Sequence, residues 1–238
     1  MKIDSSNLEF SKKDLNRGII IPDKFSSELS EDIGFHIGDG YMKRRKDNYG
    51  IHYDFVYSGK HPEDIDYFKN VLIPRKESLF NLKRMIIKNP KPNELFLRFH
   101  SKVLFLFYRD ILVVKESPKT DIKIPEWVFQ SLDFQKSFLR GMMDSDGYFK
   151  TVKKNYPIID FHLQSKNLIK GMGKILDNLN ISFSSYKREQ YDKRTNKVYV
   201  KFVVQISGRK NIPRWKDEIG FKNSKHIGRY NRWILGPG

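Results

Sequence analysis

Two stretches of this chain share one pattern, and few folds have a use for both. Leu139-Arg140-Gly141-Met142-Met143-Asp144-Ser145-Asp146-Gly147 carries small residues four apart, Gly141 and Ser145, and closes on acid-Gly. Asp32-Ile33-Gly34-Phe35-His36-Ile37-Gly38-Asp39-Gly40 carries Gly34 and Gly38 at the same spacing and the same ending. The offset is 146 − 39 = 107, and at that offset Tyr41 matches Tyr148, Lys43 matches Lys150, Asn48 matches Asn155 and Ser58 matches Ser165. So long a period means two similar halves and not a solenoid. Read as helices, both stretches put their small residues on one face, where a second helix can approach closely. Packing through Gly34, Gly38, Gly141 and Ser145 brings Asp39 and Asp146 together at one end of the seam. Two carboxylates at helix C-termini oppose the helix dipole and each other, so the pattern predicts a counter-charge, most simply a metal ion.

Hydrophobic periodicity fills in the halves. After Gly40 come a strand, a turn at Asp47-Asn48 and a strand to Ser58. A helix follows over Pro62 to Leu72, then a hairpin from Ser78 to Lys88 and Glu94 to His100, then a helix over Val103 to Val113. The second half repeats the order: a hairpin around Asn155, a helix over Leu168 to Leu179, a hairpin from Ser182 to Ser207 and a short helix over Ile212 to Ile219. Ser30 reads as the N-cap of the first motif helix. The fold class is α+β, with two αββαββα halves at 28–122 and 123–238 behind an extension at 1–27, to which no role falls. His36, Tyr41 and Tyr148 read as packing residues, and Asp144 as a structural group at its helix end.

Charge narrows the partner. Of 238 residues, 45 are Lys or Arg and 28 are Asp or Glu, a net charge of +17 that favours a polyanion, with nucleic acid first. The cations recur in the hairpins: Lys43, Arg44, Arg45 and Lys46 in the first, Lys83, Arg84 and Arg98 in the second, Lys150 in the third, and Lys187, Arg188, Lys193, Arg194 and Lys201 in the last. Cysteine is absent, which excludes disulfides, thiol nucleophiles and thiolate zinc sites. No apolar run reaches transmembrane length and the first residues hold no signal core, so we expect an intracellular protein without a membrane partner. No P-loop motif is present, and the histidines are scattered.

The two Asp-Gly helices, the duplication and the element order together resemble the LAGLIDADG homing endonucleases in their single-chain, two-motif form. The second copy is close to the family pattern. The first departs from it, with Ile37 where the family often has an acid and Asp32 where it often has an apolar residue. Asp39 and Asp146 both keep the family's chemical acid. The resemblance covers about Leu29 to Trp233 and implies two curved antiparallel sheets forming a saddle on duplex DNA, with the motif helices at the seam. It implies a monomer, and a free-standing intron-encoded enzyme in preference to an intein, which would start with Cys or Ser and end with His-Asn.

Phosphodiester hydrolysis needs an activated water, charge stabilisation at phosphorus and help for the leaving oxygen, and divalent cations supply all three. Two carboxylates with DNA phosphates suit magnesium, with manganese as a substitute. In the family, carbonyls such as those of Gly38 and Ser145 join the metal shell. Lys119 and Lys225 occupy the family's position for a basic residue near the scissile phosphates (119 − 39 = 80; 225 − 146 = 79). The expected activity is a site-specific, staggered double-strand break at a long DNA target. The rivals are an RNA-splicing maturase acting on its own intron, and a DNA-binding protein of the same fold that no longer cuts.

Overall fold

The computed structural model describes residues 2–119, 121–193 and 196–236. Each half is built on a four-stranded antiparallel sheet behind one motif helix. In the first half, helix α2 (Ser27–Asp39) runs into strands β1 (Gly40–Asp47) and β2 (Gly50–Lys60). Helix α3 (Ile65–Tyr67) continues through a π turn at Phe68–Leu72 into α4 (Ile73–Phe80), and β3 (Ile87–Lys88), β4 (Glu94–His100) and α5 (Lys102–Leu106) follow. In the second half, α6 (Leu132–Ser145), β5 (Gly147–Val152), β6 (Tyr156–Leu163), α7 (Lys166–Asn178), β7 (Ser184–Asp192), β8 (Lys197–Ser207) and α8 (Asn211–Glu218) repeat that order, and α9 (Ser224–Leu235) is added. The sheet orders are β1-β2-β4-β3 and β5-β6-β8-β7, the same topology twice. No described helix is long and apolar enough to cross a membrane.

Several boundaries differ from the sequence reading. Ser26, and not Ser30, caps α2: its hydroxyl accepts the Leu29 N–H at 3.1 Å, while Ser30 donates across the seam to the Phe134 carbonyl at 2.7 Å. Ser78 to Phe80 are helical and not strand, because Leu79 and Phe80 turn into the core and Asn81 ends the helix in the left-handed conformation. Lys83 and Arg84 therefore lie in the connection before the two-residue β3. Helix α9 was not foreseen, although Asn223 caps it from its side chain onto the Lys225 N–H.

The 107-residue offset holds only as far as the first turn of each half. Gly40 lies opposite Tyr57 and Gly147 opposite Phe161, so the offset falls across the hairpin to 161 − 57 = 104. Ser58 and Ser165 are thus not equivalent. Ser58 is exposed on β2, whereas Ser165 is buried, caps α7 and donates to the Ile122 carbonyl at 2.7 Å. Tyr41 and Tyr148 do not pack beneath the motif helices. Strand alternation buries Gly40 and Met42, Gly147 and Phe149, and turns the two tyrosines outward. The described part of the 1–27 segment packs onto the first half: Ile3 and Ile19 are buried, and the Ile20 N–H donates to the Phe80 carbonyl at 3.1 Å.

Candidate active site

The seam is made by absence of side chain. A methyl on Gly34 would overlap the Phe138 carbonyl oxygen, one on Gly141 the Glu31 carbonyl oxygen, and one on Gly38 the Ser145 hydroxyl. The contact pairs 30 with 134, 34 with 138 and 38 with 145 rise together along both helices, so α2 and α6 run parallel. Parallel packing delivers both acid-bearing ends to one place. Asp39 closes α2, and Asp146 is the C-cap of α6.

Electrostatics at that end is dense. Burial, then the charge of Asp146, push the Asp39 carboxyl up to about 7, against an opposing pull from Lys225. Burial also pushes Asp146 up, with Lys119, Lys201 and Lys225 pulling the other way. Asp146 is exposed at the mouth of the site, although protein crowds it on its other sides. The dipole at the end of α2 has its counter-charge inside the protein. Lys119 Nζ donates to the carbonyls of His36, Ile37 and Gly38 at 2.9, 2.6 and 3.0 Å. Burial lowers Lys119 to about 8 despite the nearby Asp146 and Asp39.

Lys225 is held differently. Its Nζ donates to Asp64 Oδ1 at 2.9 Å, and the Asn223 amide donates to the same oxygen at 2.9 Å. Burial alone would raise Asp64, but Lys225 and its hydrogen bonds outweigh it and hold the carboxyl below its usual range. Sequence reasoning missed Asp64 and Asn223. The Asn223-Ser224 pair ahead of apolar Ile227, Tyr230 and Trp233 is a helix-start signal that would have found α9 and its cap. Asp144 is buried and accepts the N–H groups of Lys222 and Asn223, which seats the start of α9. His36 is buried and shares a hydrogen bond of 2.8 Å with the Tyr57 hydroxyl. A cleft of about 460 Å³ opens beside Asp146, lined by Lys60, Glu63, Ser145, Tyr148, Lys225 and Arg229 among others.

Pairing register sorts the basic residues. Directly opposed residues share a face, so Tyr41, Val56 and Arg98 face outward together, and with them Lys43 and Arg45. Arg44 and Lys46 alternate to the other side of β1. In the second sheet Lys150, Arg188 and Lys201 share the outward face with Asp160 and Val203, while Lys187 points the other way and pairs with Glu189 at 3.0 Å. Two buried acids lie among these cations. Asp54 pairs with Arg45, Arg98 and His100 at 3.3, 3.3 and 2.7 Å, and Asp160 pairs with Lys150 at 2.5 Å. Lys193 is exposed at the turn between β7 and β8, and Arg194 lies outside the described residues.

Residues 133–220, which contain the second Asp-Gly motif, match the profile of the LAGLIDADG-like domain. The fold of both halves is that of the LAGLIDADG homing endonucleases. I-DmoI in complex with DNA and calcium superposes with a TM-score of 0.60 at 17% identity, covering 86% of this chain and 97% of that one. The homing endonuclease I-WcaI bound to its DNA recognition sequence gives 0.55 at 19%, covering 92% of each. I-SmaMI, a LAGLIDADG homing endonuclease bound to cleaved DNA, gives 0.52 at 12%, covering 91% and 90%. Two curated relatives come from Methanocaldococcus jannaschii. The chain is 28% identical over 200 residues to a glutamine–fructose-6-phosphate aminotransferase and 24% over 206 residues to a replication factor C small subunit. It spans 16% and 10% of those proteins.

Proposed function

We propose that this LAGLIDADG-like protein is a site-specific endonuclease that cuts both strands of a long duplex DNA target with a stagger, using divalent cations. The observation that carries the reading is the pair Asp39 and Asp146, delivered by parallel helices to one end of the seam between two sheets with basic outward faces. Superposable homing endonucleases bound to DNA, some with calcium or manganese, support it.

The donor set fits a hard cation. Among the described residues no three His, Asp or Glu side chains converge on a metal site, so protein alone offers an incomplete shell. Magnesium accepts that arrangement, taking one or two carboxylates and completing its shell with water and phosphate oxygens; manganese is its substitute. Asp39 and Asp146 would hold the ions, with the Ser145 carbonyl beside them. The Gly38 carbonyl already accepts from Lys119. A bound cation would supply the activated water and the charge stabilisation. Lys119 sets the end of α2 and places positive charge beside both carboxylates, and Lys225, steadied by Asp64, does so from the other half. Asp39 and Asp146 remain on different helices, so each strand of the duplex meets its own acid.

Incubation of the protein with a randomised duplex library and magnesium, followed by sequencing of the cut ends, tests the reading. One long site cut on both strands is the expected result. Binding to a site without cutting, by protein shown to be folded and metal-replete, would leave only the DNA-binding rival.

A further inference from the structure

The N-terminal segment carries surface chemistry that the cutting reading leaves unused. Two clefts meet at Arg17 and His100. One, about 920 Å³, lies between α1 (Lys12–Asn16) and the start of β2, and is lined by Lys12, Lys13 and Lys102 among others. The other, about 270 Å³, is lined by Arg84, Lys88 and Arg98 among others. Among the described residues no Asp or Glu lines either cleft, although carboxylates just outside pair with some of the lining cations: Glu9 with Lys102 at 2.5 Å, and Asp54 with Arg98 and His100. The result is one continuous cationic trough.

Helix α1 is fixed in place. Ser11 and Asp14 form a reciprocal cap, and the buried Asp14 carboxylate also accepts the Val103 N–H at 3.2 Å, at the start of α5. Arg17 Nη1 donates to the His100 carbonyl at 2.8 Å. These bonds leave Lys12 and Lys13 exposed on a rigid ridge. The ridge stands at the end of the first sheet away from the seam: β1 leaves Asp39 at Gly40 and turns at Asp47–Gly50, and the trough begins at Ile51 and His52. Arg98, which faces outward with Lys43 and Arg45, lines the trough as well.

We infer that this trough binds the phosphodiester backbone of duplex DNA just beyond the first-half end of the target. The inference rests on the DNA-cleaving reading and extends the footprint past the sheets on one side only. An open groove lined by Lys12, Lys13, Arg17, Arg84 and Lys88 suits a repeating anion, since each neutralised phosphate releases condensed counterions. Continuity with Arg98 favours the duplex already lying on the sheet over a separate RNA.

The test uses the full chain, a cleavable duplex with a long flank on the first-half side, and the same duplex trimmed at the target edge. Wild-type protein should lose roughly 10-fold in affinity on trimming. Lys12→Glu/Lys13→Glu should show that loss already on the long duplex, no further loss on trimming, and a salt slope lower by about 2. Its cutting rate at saturating enzyme and its melting temperature should match wild type. The inference is overturned if trimming leaves wild-type binding unchanged, if the variant binds the long duplex like wild type, if its deficit persists on the trimmed duplex, or if only RNA binding suffers. Failure of wild-type protein to cut any duplex is a separate outcome that removes the endonuclease reading and this inference with it.

Discussion

At the scale of single residues, the candidate site is set by two acids whose charge the fold disfavours. Asp146→Asn should lower cutting at least about 100-fold while leaving target binding intact, measured by cleavage and gel shift on one duplex. The pH dependence follows from Asp39. Its folded value of about 7 lies above the unfolded value of 3.8, so its share of metal-free stability is present below about pH 4 and is lost as pH rises through 7. On the proposed function, a divalent cation would take the place of that proton. Magnesium should therefore raise the melting temperature little near about pH 5.5 and clearly more near about pH 8, and Asp39→Asn should flatten that difference. Scanning calorimetry with and without magnesium reads it. Asp39 and Asp146 were legible in the sequence because a motif repeated at fixed spacing needs no tertiary information. Asp64 was not, because it meets Asn223 and Lys225 across about 160 residues of chain, which only the tertiary fold closes.

At the scale of elements, the seam is the sharpest test of the helix reading. Gly141→Ala places a methyl on the Glu31 carbonyl, which backbone cannot evade by rotating a side chain. It should cost roughly 1–3 kcal/mol in denaturant unfolding and shift the acid-bearing end, reducing cutting. Gly228→Ala in α9 is the control, since nothing lies within 4 Å of its added methyl, and it should be neutral or stabilising by about 0.5–1 kcal/mol. Equal losses in both would show that helix propensity and not the seam is being measured. Both motif helices and the succession of hairpins along each half were readable from periodicity and turn residues. The end of α4 was not, because Ser78 to Phe80 carry no period of their own and are recruited by burial of Leu79 and Phe80. The slipped offset after Asn48 was missed for a related reason: sequence matches do not see a hairpin shortened by three residues.

At the scale of the whole molecule, one buried carboxylate joins both halves. Glu31 on α2 pairs with Arg75 on α4 within the first half, and reaches across to Arg140 on α6 and Lys222 ahead of α9, each at 2.9 Å. Arg75 and Glu31 are almost fully enclosed, so removing the negative charge strands a buried guanidinium, while Arg140 and Lys222 keep access to water. Breaking such a pair costs about 3–5 kcal/mol, and Glu31→Gln should approach the lower end, since the amide still accepts one hydrogen bond. Because the same side chain serves both halves, and each motif helix buries its glycine face only against the other, the chain should unfold in one transition with coincident near- and far-UV signals. Glu31→Gln should lower that single midpoint without dividing it. Two separated transitions in the unaltered protein would mean that each half carries a core sufficient alone, and that the glycine seam joins two finished domains. A seam of that kind would open under load, and Asp39 and Asp146 would then hold a cation only part of the time.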